Sequence, residues 1–238
     1  DLHGLGISWN NLGYCSFRDG DWNTAEAAYA RAIELIQSTG DDAMESRGWL
    51  NLALVREGRG DNSGALSLCE RAKGVAEATG DRVNQERSNA AMGRISAALR
   101  QFARAEAHYE EALRCIEATR GELRLDEMRD SYFAVAQDPF VDYLSLLAER
   151  GNADRAISVA ERAKAQTFLR LLGGPRDPNA VGGQDTEEFE TAWDVGRIQS
   201  ELLDASTAIL EYVLAEPQSY LFVVTNEGSW SSRLPGST

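Results

Sequence analysis

The chain has 238 residues, enough for one large domain or two modest ones, and its 43% hydrophobic content is that of a packed globular protein. With 24 basic against 38 acidic side chains, the formal net charge of −14 repels a phosphate backbone and argues against general nucleic-acid binding. Three cysteines (Cys15, Cys69, Cys115) without a C-x-x-C pair and two histidines (His3, His108) support neither a zinc site nor a disulfide framework, and they fit a reducing cytoplasm. No apolar run reaches the ~18–20 residues of a membrane span, and the opening Asp1-Leu-His-Gly4 lacks the basic and apolar regions of a secretory signal. The absence of an initiator Met is what a fragment or a processed chain would show.

The first half of the chain repeats. Trp9-Asn-Asn-Leu12-Gly13 returns 40 residues on as Trp49-Leu-Asn-Leu52-Ala53, and the same frame reaches Asn89-Ala-Ala-Met92-Gly93. Ala25, Ala65 and Ala105 keep that register, as do Tyr29, Cys69 and Tyr109, and Ala32, Ala72 and Ala112. Gly20-Asp21 matches Gly60-Asp61, and Thr39-Gly40-Asp41 matches Thr79-Gly80-Asp81. Physically each unit reads as two helices and two turns. Trp9, Leu12 and Gly13 share one face of the first helix, Gly20 ends it where a positive φ is needed, and Asp21 caps the second. Ala25, Tyr29 and Ala32 then form one stripe. The small residues Gly13 and Ala25 let the helices approach, while Trp9, Leu12 and Tyr29 are expected to fill the space between them.

This small and large pattern resembles the tetratricopeptide repeat (TPR), and the resemblance covers roughly residues 6–117, within a first domain of three units over residues 1–117. It implies a mainly α fold, an α-α superhelix whose first helices line a concave groove. The 40-residue period exceeds the common 34 of that family, as in the long-period arrays of bacterial signalling proteins. Two departures fall in the third unit, where Asn89 replaces Trp and Arg100 replaces the turn Gly. A non-Gly residue in the left-handed region costs about 1–2 kcal/mol, so that turn is expected to be altered or strained.

Farther along, Tyr143-Leu144, Gly151-Asn152, Ala156, Ala160 and Ala163 read as a fourth hairpin, displaced because Ala156 lies 51 residues after Ala105. The inserted stretch, Leu123 to Phe133, is apolar at helical intervals, so residues 118–172 are expected to hold an inserted helix and a TPR-like hairpin. Gly173-Gly174-Pro175 to Gly182-Gly183 breaks any helix, and residues 173–187 read as a flexible linker. Glu187 to Leu203 regains helical spacing through Phe189, Trp193, Ile198 and Leu202. Three short strands follow, at 208–215, 219–225 and 230–234, as an antiparallel meander.

A second resemblance covers this region. The block Arg129-Asp-Ser-Tyr-Phe133, then Glu161-Arg-Ala-Lys-Ala165-Gln166, then Leu203, Thr207, Ile209, Leu210, Glu211 and Tyr212 are similar to the junction and opening strands of CHAT domains, caspase-like modules associated with TPR arrays. Gln166 stands where that family usually has Arg. The resemblance implies that residues 188–238 are the helix and first strands of a truncated α/β CHAT domain. It also implies that the family's catalytic His and Cys belong to later strands that this chain does not reach.

Within the chain itself no catalytic constellation is found. Cys69 takes the large-residue slot of Tyr29 and Tyr109. His108 and Cys115 lie seven residues apart on one helix, separated by ~10 Å of rise where a working pair needs about 3 Å. Phosphate-loop, zinc-protease and calcium-loop motifs are absent from the sequence, no cofactor is implied, and no small-molecule substrate is indicated. The candidate partner-binding residues are first-helix positions turned away from the hairpin partner: Asn10, Tyr14 and Arg18, then Arg47, Asn51 and Leu54, then Arg87 and Arg94. They would hold a protein or peptide, Asn bonding its backbone and Arg its acidic groups. The carboxylate clamp of chaperone-binding TPR proteins is mostly missing, with only Asn51 and Arg87 at comparable positions. The expected function is therefore a protein-interaction scaffold and not an enzyme, the regulatory arm of a larger caspase-like cysteine peptidase. The alternative is a stand-alone adaptor or sensor arm of a bacterial signalling or transcriptional regulator.

Overall fold

The structure is a computed structural model that describes residues 1–122, 138–172, 195–214 and 218–235. The expected inserted helix at 123–133, the linker at 173–187 and the helical start at 187–194 lie outside these residues. Two compact units divide the chain, residues 1–122 and 123–238. The described residues are mainly helical, with one small antiparallel sheet.

The first unit holds six helices: α1 (Leu2–Arg18), α2 (Trp22–Gln37), α3 (Asp42–Gly58), α4 (Asn62–Thr79), α5 (Arg82–Ala98) and α6 (Phe102–Glu122). Turns of two to four residues join them, which makes successive helices antiparallel neighbours. Pairs α1/α2, α3/α4 and α5/α6 form hairpins, and α2 packs on α3 as α4 packs on α5. Odd helices also touch, α1 with α3 and α3 with α5.

The punctuation is finer than the repeat. An Asp stands before each of the first five helices, and the carboxylates of Asp1, Asp21, Asp41, Asp61 and Asp81 accept from the backbone N–H of Gly4, Thr24, Met44, Gly64 and Asn84. Each satisfies a helix donor that has no partner within the helix. Gly20, Gly40, Gly60 and Gly80 precede four of these caps with φ between 70° and 80°. Arg100, in the equivalent place, is forced to φ 58°, as its position in the repeat predicts.

Packing within the hairpins follows the small and large pairing. A Cβ on Gly13 would lie 2.7 Å from the Tyr29 ring, and one on Gly93 would lie 2.8 Å from the Tyr109 ring. Between hairpins, Leu52 and Val55 of α3 pack with Ala25, Tyr29 and Ile33 of α2. Met92 and Ile95 of α5 pack with Ala65, Cys69 and Ala72 of α4. The expectation for Leu12 is corrected, because that side chain is 44% exposed while Leu52 and Met92 are buried. The position faces the even helix of the preceding hairpin, and among the described residues no helix lies there for α1.

Among the described residues of the second unit, the first element is a hairpin of α7 (Asp138–Glu149) and α8 (Ala153–Leu172), turned at Gly151 with φ 72°. Phe140, Tyr143, Leu144 and Leu147 bury one face, and Ala153, Ala156, Ile157 and Ala160 the other. The Arg155 guanidinium bonds to the Tyr143 hydroxyl. Helix α9 (Val195–Glu201) is followed by β1 (Ala208–Val213), β2 (Tyr220–Thr225) and β3 (Gly228–Arg233) in the order β1-β2-β3. The third strand starts two residues earlier than expected, since Gly228 pairs with Thr225 and leaves Asn226-Glu227 as the turn. Tyr220, Phe222 and Val224 are buried on one face of the sheet. On the other, Leu210, Tyr212 and Trp230 are each more than half exposed. Gln199 of α9 donates to the Thr225 carbonyl at 2.8 Å, and Arg233 of β3 meets Glu149 of α7 at 2.6 Å. Ahead of β1, Asp204 accepts from Thr207 and Ser206, and these bonds hold its carboxyl down to about 2.

Candidate functional site

The eight sequence-selected residues all lie on odd helices of the first unit. Their intervals of three, four and seven keep each set on one face of its own helix. Contacts join the helices side by side. The Asn51 side-chain amide donates to Asn10 Oδ1 at 2.9 Å, linking α3 to α1. The Arg94 guanidinium makes a two-pronged contact with Glu57, Nε to Oε1 at 2.9 Å and Nη2 to Oε2 at 2.8 Å, linking α5 to α3. Deeper, the Asn84 amide donates to the Ala43 carbonyl at 3.1 Å and adds a second α5 to α3 tie.

These bonds assign roles that sequence spacing did not separate. Asn10, Asn51 and Arg94 each bond to a side chain of the neighbouring repeat. Arg18 donates to the Tyr14 hydroxyl at 3.0 Å, with its guanidinium 5.9 Å from the centre of the same ring. Tyr14, 53% exposed, and Leu54, 37% exposed, occupy the same repeat position as Arg94. Arg47 and Arg87, one repeat apart, are both exposed. The outward chemistry of the face is therefore an aromatic, an aliphatic and three cations, Arg18, Arg47 and Arg87.

Glu57 was not legible as a member of this face, since only the stacking of α5 on α3 brings it to Arg94. The same holds for Glu26, which takes Arg56 and Arg59 at once, the latter at 2.6 Å. His3 and Asp41, 2.9 Å apart, pin the start of α1 to the start of α3. With the Met44 N–H first and His3 second, these bonds hold the Asp41 carboxyl below its ordinary range.

The cysteines in this unit are held away from thiolate chemistry. Burial, and then the Glu57 charge, pushes the Cys69 thiol up to about 12. Burial also raises Cys115 and lowers His108, which opposes both the nucleophile and its base. Cys15 is exposed. Among the described residues, no three His, Cys, Asp or Glu side chains are grouped to hold a metal ion, and no helix is long and apolar enough to cross a membrane.

No protein-family model matches the chain, and no curated protein matches it. Among solved structures, the crystal structure of BtubC (BKLC) from P. vanneervenii is 18% identical over 76% of this chain and 87% of that one, with a TM-score of 0.47.

Proposed function

We propose that the chain is a protein-interaction scaffold of the TPR class, the recognition arm of a CHAT-type protein, and that it holds an extended peptide or a helix against the odd-helix face of residues 1–122. The observation that carries this reading is the side-by-side joining of α1, α3 and α5 through Asn10–Asn51 and Glu57–Arg94. That joining turns three separate helix stripes into one surface on which Tyr14, Leu54, Arg47 and Arg87 stand outward. Such a surface suits a peptide with an apolar anchor and acidic groups spaced by about one repeat, because Arg recognises carboxylates through paired donors.

The alternative is a stand-alone adaptor ending near Leu172, which expects no closed sheet after residue 205. The open three-stranded sheet, with Tyr220, Phe222 and Val224 buried on one face, is the support for the longer architecture. In that architecture the peptidase chemistry belongs to the parent protein, and partner binding to the arm would control it.

Selection of a random peptide library against the protein tests the proposal. Acidic sequences with one large apolar residue should emerge and lose tenfold or more in affinity to the pair Arg47→Glu and Arg87→Glu. Arg31→Glu on α2, also exposed, should leave binding unchanged. Peptides insensitive to the α3 and α5 substitutions would remove the odd-helix face from the account.

A further inference from the structure

The repeat carries a second surface, opposite the first, and the chain itself displays what covers it. Positions 5, 8, 12 and 15 of α1 lie along one stripe, roughly opposite Asn10, Tyr14 and Arg18 at about 100° per residue. Their counterparts in the later units are engaged. At the first position, Glu45 accepts from Gln37 of α2 at 2.7 Å, and Gln85 donates to the Ala76 carbonyl of α4 at 3.0 Å. At the second, Gly48 lies so close to α2 that a Cβ would meet Ile33 at 2.7 Å, and Ser88 is fully buried. At the third, Leu52 and Met92 sit in the two inter-hairpin cores. At the fourth, Val55 and Ile95 are both 0% exposed.

In α1 the same four positions are Leu5, Ser8, Leu12 and Cys15, and all four are exposed, Leu5 at 46% and Leu12 at 44%. The stripe keeps the chemistry of a stacking face, with leucines about where a knob is needed and a small Ser where Gly48 admits a close approach. We propose that this face of α1 seats the second helix of another hairpin of the same repeat, lying on the N-terminal side of α1 in the same polypeptide. That helix would present the stripe that α2 presents to α3 and α4 to α5, an Ala, a large or Cys side chain four residues on, and further small or branched residues. The approach is already prepared in cis. Asp1 caps α1 as Asp41 and Asp81 cap α3 and α5, and those two caps follow an even helix by only two to four residues. The first unit of a second copy does not offer such a helix, because the matching stripes of α2, α4 and α6 are themselves buried, Ala25, Ala65 and Ala105 at 0%, Tyr29 and Tyr109 at 2% and Cys69 at 0%.

The test compares the present chain with the protein extended by the residues its gene encodes ahead of Asp1, over about one repeat length. Hydrogen exchange in α1 should slow at least tenfold in the extended protein. Leu12→Asp should lower the melting temperature of the extended protein by roughly 5 °C or more and leave that of the present chain nearly unchanged. Unchanged exchange in α1, equal effects of Leu12→Asp in both proteins, or an upstream sequence without a helix of this pattern would overturn the proposal. So would a dimer of the present chain that Leu12→Asp dissociates. None of these readouts depends on ligand at the odd-helix face, so failure here and failure of the scaffold reading are separable.

Discussion

The ring of Tyr29 lies against Gly13, with Cδ1 2.7 Å from where a Cβ would stand, and Tyr109 repeats the relationship at Gly93. The middle unit solves the same geometry with Ala53 and Cys69, a larger residue on one helix and a smaller one on the other. Gly13→Ala should therefore destabilise the first unit by about 1 kcal/mol, since overpacking outweighs the gain in helix propensity. Gly74 is the internal control. Nothing lies within 4 Å of its missing Cβ, so Gly74→Ala should stabilise by a similar amount. Denaturant titrations of the two variants check the opposite signs. In the middle unit, Cys69→Tyr should be tolerated only together with Ala53→Gly, a coupling a double-mutant cycle measures.

Arg100 holds φ 58° where the other first-unit turns have glycine. Arg100→Gly should stabilise by about 1 kcal/mol, and Gly80→Arg, at φ 70°, should destabilise by a similar amount or more. Thermal unfolding of the pair decides it, and equal effects of the same sign would contradict the reading.

Acid should loosen the first unit through its caps. The Met44 N–H and then His3 depress the Asp41 carboxyl, and Thr24 likewise depresses Asp21, by its side chain first. Their folded values lie below the unfolded ~3.9, so this stabilisation is complete above that value and is lost as pH falls through the depressed folded values. Unfolding free energy followed from pH 6 to pH 3 should fall toward the acid end. Asp41→Asn should flatten the slope, while Asp41→Ala should cost about 1 kcal/mol at neutral pH through loss of the cap.

Thiol accessibility should divide the cysteines. Cys15 is exposed, whereas burial raises Cys115 and holds Cys69 up to about 12. An aromatic disulfide reagent at pH 8 should titrate one thiol rapidly in the folded protein and all three in denaturant. Rapid reaction of Cys69 would contradict the packing of α4 between α3 and α5.

Much of the first unit was written locally. The Gly13 and Tyr29 slots, the glycine turns and the strained Arg100 follow from spacing alone, because each is a contact or a dihedral within one hairpin. What escaped the sequence depends on neighbours. Leu12 matches Leu52 in sequence but, among the described residues, has no counterpart of the α2 helix that buries Leu52. Asn10 and Asn51, read from spacing as ligands for a peptide backbone, also bond to each other across the α1–α3 boundary, and Arg94 meets Glu57 across the next. The start of β3 at Gly228 was missed because glycine weakens a strand pattern, although its pairing with Thr225 is backbone-driven.

The scaffold reading rests on the odd-helix face, and photocrosslinking from that face tests it most directly. A benzophenone side chain placed at Leu54 of α3 should capture a discrete polypeptide from the native cell, and the same group at exposed Ser67 of α4 should not. Addition of Arg47→Glu and Arg87→Glu should abolish the adduct at 54. Equal labelling from the two positions, or an adduct at 54 that survives both substitutions, would contradict the account.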